Sequence, residues 1–270
     1  MRSFPGGERA AYRLARRHVA GARLEDALAC ARRLAADGLA SSIDFFGESV
    51  ADPVEADRVA DHYVALAQAL DEAPDDTFLS IDLSHIGVDQ PGEAARRRLE
   101  RIAAALPDGR RLQVGAEEAR RADRIRAAVL AVAGTGAAVS ATVQANLKRS
   151  GTDAQALAEG GVPIRLVKGA YAEGPEIARP WGEATDLAFL ELAHELRAGG
   201  AELAIATHDP VLREALLRAL PGVGVEMLLG VRSADARALA ARGVAVRIYV
   251  PYGDMWFRYA MRRWAEAAGA

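Results

Sequence analysis

The sequence predicts an α/β fold, a distorted (β/α)8 barrel of the TIM type with extra N-terminal helices. Eight short apolar, β-branched runs recur along the chain, and stretches with helical periodicity separate them. Strands that alternate with helices require right-handed crossovers and a parallel sheet, and 270 residues suit eight such units. We expect one barrel domain over residues 1–270, with helices in 1–38 and the barrel in 39–270.

Each element has its own sequence signal. Two helices are predicted before the barrel, at about 8–20 and 23–37. The apolar runs predict strands, in order, at 41–46, 78–83, 112–116, 138–143, 163–167, 203–207, 224–228 and 246–250. A doubly wound sheet is the alternative, but it would place a glycine-rich phosphate turn directly after an early strand. Gly134 and Gly136, the close glycine pair of that kind, come before a strand.

Composition excludes several classes of function. A net charge of −3 gives no basic excess for nucleic acid or an acidic membrane surface. Cys30 is the single cysteine, so it forms no intramolecular disulfide, and its run predicts a buried helix position in a protein of a reducing compartment. No signal peptide or apolar span is apparent, which favours a cytoplasmic location. No metal site is expected, because His208 has no second histidine at ligand spacing.

Polar side chains stand at the ends of most of the predicted strands. In a barrel of this type the functional groups collect at the carboxyl ends of the strands, so these side chains should meet at one mouth. They are Asp44, Glu48, Asp82, His85, Glu117, Gln144, Lys148, Arg165, Lys168, Tyr171, Thr207, His208, Asp209, Glu226 and Tyr249.

The segment "RLVKGAYAEG" carries two cations after the fifth strand. Arg165 and Lys168 at a barrel mouth indicate an anion or an electron-rich cofactor, and Gly169 would let it approach the backbone. An exposed pair flanking a loop is the simpler interpretation. Lys168 could instead form a Schiff base with a carbonyl substrate.

Two further strand ends carry polar groups. In "IATHDP", Asp209 is placed to cap the helix that Pro210 opens, and His208 is either part of that cap region or a ligand contact. Gln144 ends the fourth strand, where a buried amide needs hydrogen-bond partners. The edge of a ring cofactor or neighbouring protein groups could supply them.

The segment "RIYVPYGDMWFRYAMRRW" follows the eighth strand. Tyr259, Arg262 and Arg263 are spaced i, i+3, i+4, which places a phenol and two guanidinium groups on one helical turn. These groups could close together on a planar anion such as a carboxylate.

The segments "RLVKGAY", "ATHD", "GVEMLLG" and "RIYVPYG…YAMRR" together resemble the flavin-dependent proline dehydrogenase family, including the barrel domain of proline-utilisation proteins. "RHVAG" and "SIDFFGES" are similar to the bacterial monofunctional form. The resemblance implies FAD at the strand ends and oxidation of L-proline or a related cyclic imino acid to an imine of the 1-pyrroline-5-carboxylate type. It also implies a quinone electron acceptor, a functional link to pyrroline-5-carboxylate dehydrogenase, and a cytoplasmic location that allows peripheral contact with the inner face of the membrane.

The resemblance also implies a role for individual residues. Those facing or shaping the substrate pocket would be Arg262, Arg263, Tyr249, Tyr259, Asp82 and Leu228. Those near the flavin or its ribityl, pyrophosphate and adenine parts would be Gln144, Arg165, Lys168, Gly169, Tyr171, Thr185, Thr207, His208 and Glu266.

The sequence departs from the family at three positions. Asp82 stands where the family has a lysine that binds the substrate carboxylate, Gly115 where it has an aspartate that pairs with an arginine, and Glu226 where it usually has glutamine. We hypothesise that Asp82 takes over the arginine-orienting role. That hypothesis predicts weaker proline binding, or a preference for a larger or less acidic cyclic amine that uses the space opened at Gly115. The alternatives are a Schiff-base lyase, a paralogue acting on another cyclic amine, and a flavin-binding protein without turnover.

Overall fold

The structure, a computed structural model, describes residues 17–255 and shows a closed barrel of parallel strands in the order β1 to β8. The strands are β1 Ala40–Phe45, β2 Thr77–Ile81, β3 Leu112–Val114, β4 Val139–Gln144, β5 Ile164–Val167, β6 Leu203–Ala206, β7 Gly224–Leu228 and β8 Val246–Tyr252. The α-helices are α1 Leu24–Ala36, α2 Pro53–Ala69, α3 Ala94–Ala104, α4 Ala122–Ala133, α5 Ser150–Glu159, α6 Glu183–Ala198, α7 Pro210–Ala219 and α8 Ser233–Ala241. Short 3₁₀ helices lie at Leu70–Glu72, Leu83–Ile86 and Ala119–Arg121.

The predicted fold class is confirmed, and each observed strand overlaps its predicted range. β1 pairs with β8 over six positions, from Ala40 opposite Arg247 to Phe45 opposite Tyr252, and this pairing closes the barrel. Helix α1 lies within the range predicted for the second N-terminal helix. The range 8–20 was predicted as helix, but its described part, 17–20, holds a turn and irregular chain. The backbone N–H of Ala20 there donates to the carbonyl of Pro251 at 2.9 Å.

Two helices begin at the same signal in the sequence, an aspartate followed by proline. Asp52 accepts hydrogen bonds from the N–H groups of the first turn of α2, and Asp209 does the same for α7. The carboxylates satisfy donors that have no partner inside the helix, and proline fits the first helical position because its nitrogen has no hydrogen to satisfy. The cap predicted at Asp209 is confirmed.

Along the strands, apolar side chains alternate with polar side chains that line the barrel interior. Side chains such as Ile43, Leu79, Val114, Ile205 and Val250 are fully buried and join the hydrophobic core between the barrel and its helices. The barrel interior carries polar side chains where bulky branched residues are usual. Those lining interior cavities are Ser80, Gln113, Ser140, Thr142, Arg165, Glu226 and Arg247.

The polar interior is divided into two cavities. A cavity of about 340 Å³ opens at the amino-terminal end of the strands, where the guanidinium of Arg247 stacks 3.3 Å from the ring centroid of Phe78. A second cavity, of about 140 Å³, lies at the carboxyl ends and is called the mouth cavity below. Gln113 and Arg165 border both, so a single layer of side chains separates them.

Two further features bear on the sequence predictions. Cys30 is buried within α1, as predicted. Over residues 17–255, no helix is long and apolar enough to cross a membrane.

Candidate active site

The mouth cavity is lined by residues from seven of the eight strands or the positions directly after them. Five predicted site residues border it, namely Asp82, Gln144, Arg165, Leu228 and Tyr249. The other residues around it are Asp44, Phe46, Ser80, Gln113, Gly115, Ala116, Thr142 and Val167. Because these residues lie at the carboxyl ends of parallel strands, the barrel itself fixes their relative positions.

Arg165 forms the floor of the mouth cavity together with a buried carboxylate. Its Nε donates to Glu226 Oε2 at 2.7 Å, and Gln113 Nε2 donates to Glu226 Oε1 at 2.8 Å. The side chains of Arg165 and Glu226 are 16% and 5% exposed. A charged pair buried to this degree is held in a fixed geometry, because separating the two groups would leave a desolvated charge.

The amide of Gln144 has protein partners on both sides. Its Nε2 donates to the carbonyl of Glu117 at 2.8 Å, and its Oε1 accepts from the N–H of Ala170 at 3.2 Å. Neighbouring groups therefore meet part of the hydrogen-bonding demand that the sequence left open. An amide has a second N–H and a second lone pair, so Gln144 can still contact a ligand in the cavity.

Lys168 is bound by two carboxylates. Its Nζ lies 2.6 Å from Asp186 Oδ1 and 3.2 Å from Asp209 Oδ2. The side chain is 26% exposed. A Schiff base requires the neutral amine, so this contact argues against the lyase alternative.

His208 binds the end of β7. The N–H of Leu228 donates to His208 Nε2 at 3.0 Å, so that nitrogen carries no proton. The neighbouring residue Thr207 accepts from the N–H of Asp209 at 3.1 Å. The residues after the sixth strand are thus held by a helix cap and by the contact of His208 with β7.

Tyr249 is held by a buried aspartate. Its hydroxyl donates to Asp44 Oδ2 at 2.9 Å, and the hydroxyl of Tyr63 donates to Asp44 Oδ1 at 3.0 Å. Asp44 is 3% exposed, and burial raises its pKa from 3.8 to about 6.

Asp82 fills the space above Gly115. A Cβ atom added to Gly115 would lie 1.9 Å from Asp82 Oδ1, which is far inside contact distance. The two residues are neighbours because Ile81 pairs with Val114 across β2 and β3. The prediction that Gly115 opens space for a larger substrate is therefore wrong, because the Asp82 carboxylate occupies that space. The carboxylate of Asp82, which follows β2, thus occupies the position that a side chain at residue 115, after β3, would take.

The remaining predicted site residues have other surroundings. Gly169 has φ +137°, and a Cβ there would lie 2.3 Å from Asn146 Oδ1, so the position requires glycine. Thr185 is fully buried in α6 and donates to the carbonyl of Pro180 at 2.8 Å, away from the mouth cavity. Tyr171 lies in the loop after β5 and is partly exposed. Four predicted residues lie outside the described part of the chain, namely Tyr259, Arg262, Arg263 and Glu266.

Two buried groups were noted at strand ends in the sequence but were given no role there. Asp44 is one of them. Glu117 is the other: it accepts from the N–H of Ser84 at 2.8 Å and from Arg121 Nη1 at 2.8 Å, and burial raises its pKa. The i, i+4 spacing of Glu117 and Arg121 was the available signal for that contact.

The described residues fit a cofactor that offers several hydrogen-bonding atoms. The hydroxyl of Thr142, beside the mouth cavity, and Asn146 Oδ1, beside Gly169, are buried and have no hydrogen-bond partner among residues 17–255. Buried polar atoms are almost always satisfied, so these two point to a ligand or ordered water. Thr142 and Arg165 border the same cavity, so a ring cofactor with hydrogen-bonding atoms along one edge would find partners there.

Comparisons with known proteins agree on one family. The sequence model described as proline dehydrogenase matches residues 27–270. Proline dehydrogenase 1 of Bacillus subtilis subsp. natto is 33% identical over 260 residues, covering 93% of this chain and 86% of that protein. A proline dehydrogenase of Deinococcus radiodurans is 32% identical over 270 residues, covering 94% of this chain and 86% of that protein.

A solved structure shows the same fold. Proline utilization A from Bdellovibrio bacteriovorus, inactivated by N-propargylglycine, superposes with a TM-score of 0.86 at 17% identity. The match covers 96% of this chain and 33% of that protein, so the chain spans about a third of its length.

The fold and the mouth cavity define an enzyme built on a (β/α)8 barrel, with its reactive groups at the carboxyl ends of the strands. The chain belongs to the proline dehydrogenase family. The predicted class, an oxidoreductase of the dehydrogenase type, is confirmed by that membership.

Proposed function

We propose that this protein is an FAD-dependent dehydrogenase that oxidises L-proline or a closely related cyclic imino acid to the corresponding imine. The observation that carries the proposal is the meeting of Asp82, Gln144, Arg165, Leu228 and Tyr249 around one small cavity in a member of this family. A cavity of about 140 Å³ suits a five-membered ring rather than a whole dinucleotide, so only the reacting part of the cofactor would reach it.

The residues divide into two groups around this cavity. Gln144, Arg165 and the Gly169 backbone would hold the flavin ring, and His208 and Lys168 would lie beside its extended part. The bound flavin would supply the acceptor for a hydride from the ring carbon next to nitrogen. Arg165 borders the cavity floor, where its guanidinium would stabilise negative charge that develops on the bound ring during the reaction.

The substrate would be held from the other side. Leu228 offers an apolar wall for the ring and Tyr249 a phenol. Arg262 and Arg263 would bind the carboxylate, with Tyr259 beside them and Asp82 orienting the arginines. Electrons would pass to a quinone, which fits peripheral contact with a membrane, and the imine would pass to a pyrroline-5-carboxylate dehydrogenase.

Anaerobic flavin reduction tests the proposal. The purified protein, reconstituted with FAD where needed, should show a flavin absorbance band near its usual position in flavoproteins, and L-proline should bleach that band in the absence of oxygen. Pyrrolidine, which has the ring but no carboxylate, is the matched control and should bleach it far more slowly. A protein that binds no FAD would contradict the cofactor assignment, and a flavin that no cyclic imino acid reduces would favour the non-catalytic alternative.

A further inference from the structure

Asp44, on β1, is a buried carboxylate that borders the mouth cavity. Within residues 17–255 its hydrogen-bond partners are hydroxyl groups, since Tyr249, Tyr63 and Ser80 stabilise its charged form. A carboxylate desolvated in this way is costly to keep charged, and it is therefore a good proton acceptor.

Of the two phenols that contact Asp44, one borders the mouth cavity and the other is buried in the protein interior. Tyr249 borders the mouth cavity, so its hydroxyl connects the cavity with Asp44 Oδ2. Tyr63, on α2, is fully buried, and its single hydroxyl proton is shared between Asp44 Oδ1 and the carbonyl of Phe45, which lies 2.8 Å from the hydroxyl oxygen. The hydrogen bond from Tyr249 therefore links Asp44 to a second group that lines the cavity, whereas the hydrogen bond from Tyr63 leads into the protein interior.

We propose that Asp44 accepts, through the hydroxyl of Tyr249, the proton that the substrate's ring ammonium loses before oxidation. The inference rests on the proposed function. The N–H bond of the ammonium breaks and its proton bonds to the Tyr249 oxygen, while the Tyr249 hydroxyl proton moves to Asp44 Oδ2. Nitrogen keeps the electrons of the broken N–H bond, so an ammonium and a carboxylate become an amine and a carboxylic acid. The transfer moves protons only, and neither group is oxidised or reduced. The neutral amine has the lone pair that loss of hydride from the neighbouring carbon requires.

The surroundings of Asp44 set the pH range of this step. Burial raises its pKa to about 6, and the hydrogen bonds from Tyr249, Tyr63 and Ser80 act in the opposite direction. Above about pH 6 the side chain is therefore mainly ionised and can accept a proton, and below that pH it is already protonated. Alkyl ammonium groups have pKa values of about 10, so the substrate enters as the cation.

Among the titratable groups that the structure describes near Asp44, Asp82 also borders the mouth cavity, and the Asp44→Asn variant below separates the two carboxylates. The others, His85, Tyr63 and Tyr252, do not border that cavity. His85, on the 3₁₀ turn after β2, lies 3.4 Å from the Tyr63 hydroxyl, and burial lowers its pKa to about 4. Burial, together with the charges of Asp44 and Asp82, raises the pKa of Tyr63, and burial together with the charge of Asp44 raises the pKa of Tyr252, so both phenols stay protonated.

A direct titration tests the acceptor without cofactor or substrate. In carbon-13 NMR spectra of protein labelled at the aspartate carboxyl carbon, the resonance absent from Asp44→Asn should titrate near pH 6. Tyr63→Phe should raise that midpoint, because it removes one hydrogen bond to the ionised form. A resonance that titrates below pH 4.5 would overturn the proposal.

Anaerobic flavin reduction by L-proline between pH 5 and 9 tests the role. In the wild-type protein the second-order rate should fall below about pH 6. In Asp44→Asn and in Tyr249→Phe the second-order rate at pH 8 should be about 10²-fold lower, which is within the range for loss of a general base. Neither variant should show the fall in rate below about pH 6. In Tyr63→Phe the rate at pH 9 should be reduced much less, and the pH below which the rate falls should be higher than in the wild type. Tyr249→Phe carries the test if Asp44→Asn does not fold.

The outcomes separate this inference from the proposed function. A wild-type flavin that proline reduces, combined with an Asp44→Asn variant of unaltered rate and pH profile, overturns the role of Asp44 alone. A wild-type flavin that no cyclic imino acid reduces overturns both.

Discussion

The buried pair of Arg165 and Glu226 should behave as a unit in stability measurements. Replacing Arg165 with methionine keeps the volume but leaves the carboxylate of Glu226, 5% exposed, with Gln113 as its remaining hydrogen-bond partner from this cluster. Removing one partner of a buried pair costs about 3–5 kcal/mol. For domains of roughly this size 1 kcal/mol lowers the melting temperature by about 2–4 °C, so we expect a fall of roughly 6–20 °C.

The double variant Arg165→Met/Glu226→Gln should recover most of that loss, because no charge then remains buried. Arg111→Met is the matched control: it opens the pair with Glu202, whose side chains are 25% and 63% exposed, and it should cost less than about 1 kcal/mol. Thermal unfolding followed by circular dichroism gives the melting temperatures of all three variants at equal flavin content, and urea unfolding gives their free energies of unfolding. The reasoning fails if Arg165→Met melts within 2 °C of the wild type, on the scale of about 2–4 °C per kcal/mol, or if the double variant is no more stable than the single one.

Two further predictions concern the close contact at Gly115 and the helix caps at Asp52 and Asp209. Gly115→Ala should displace the Asp82 carboxylate, lower the free energy of unfolding by about 1–3 kcal/mol and raise the Michaelis constant for proline. In the control Gly151→Ala, on helix α5, the new Cβ meets nothing within 4 Å, so stability should be unchanged or higher. An unmoved Asp82 in a crystal structure of Gly115→Ala would contradict this prediction. Asp209→Ala and Asp52→Ala should each lose about 1 kcal/mol of helix-cap stabilisation, but only Asp209→Ala should weaken FAD binding, as measured by fluorescence titration. Equal FAD affinity in both variants would remove the sixth strand end from the flavin site.

The sequence was sufficient for the barrel because its signals are local. β-branched runs such as "VRIYV" and the helical periodicity between them need no knowledge of distant contacts. The cap at Asp209 is local as well, since its acceptor and donors lie within three residues.

The site was only partly predictable because its contacts join distant parts of the chain. Tyr249 and Asp44 are 205 residues apart and meet because β1 and β8 close the barrel. The contact between Asp82 and Gly115 likewise depends on the register of β2 with β3. The sequence spacing of Thr185 also does not reveal its hydrogen-bond partner. In the structure its hydroxyl donates to the carbonyl of Pro180.

The measurement that tests the central claim most directly is a single-turnover experiment on the FAD-loaded protein. L-proline is added without oxygen, the loss of oxidised flavin is followed by absorbance, and the imine is trapped with an aromatic amino-aldehyde and quantified. We expect one equivalent of cyclic imine for each flavin reduced. Flavin reduction without imine, or imine formation without flavin reduction, would contradict the account.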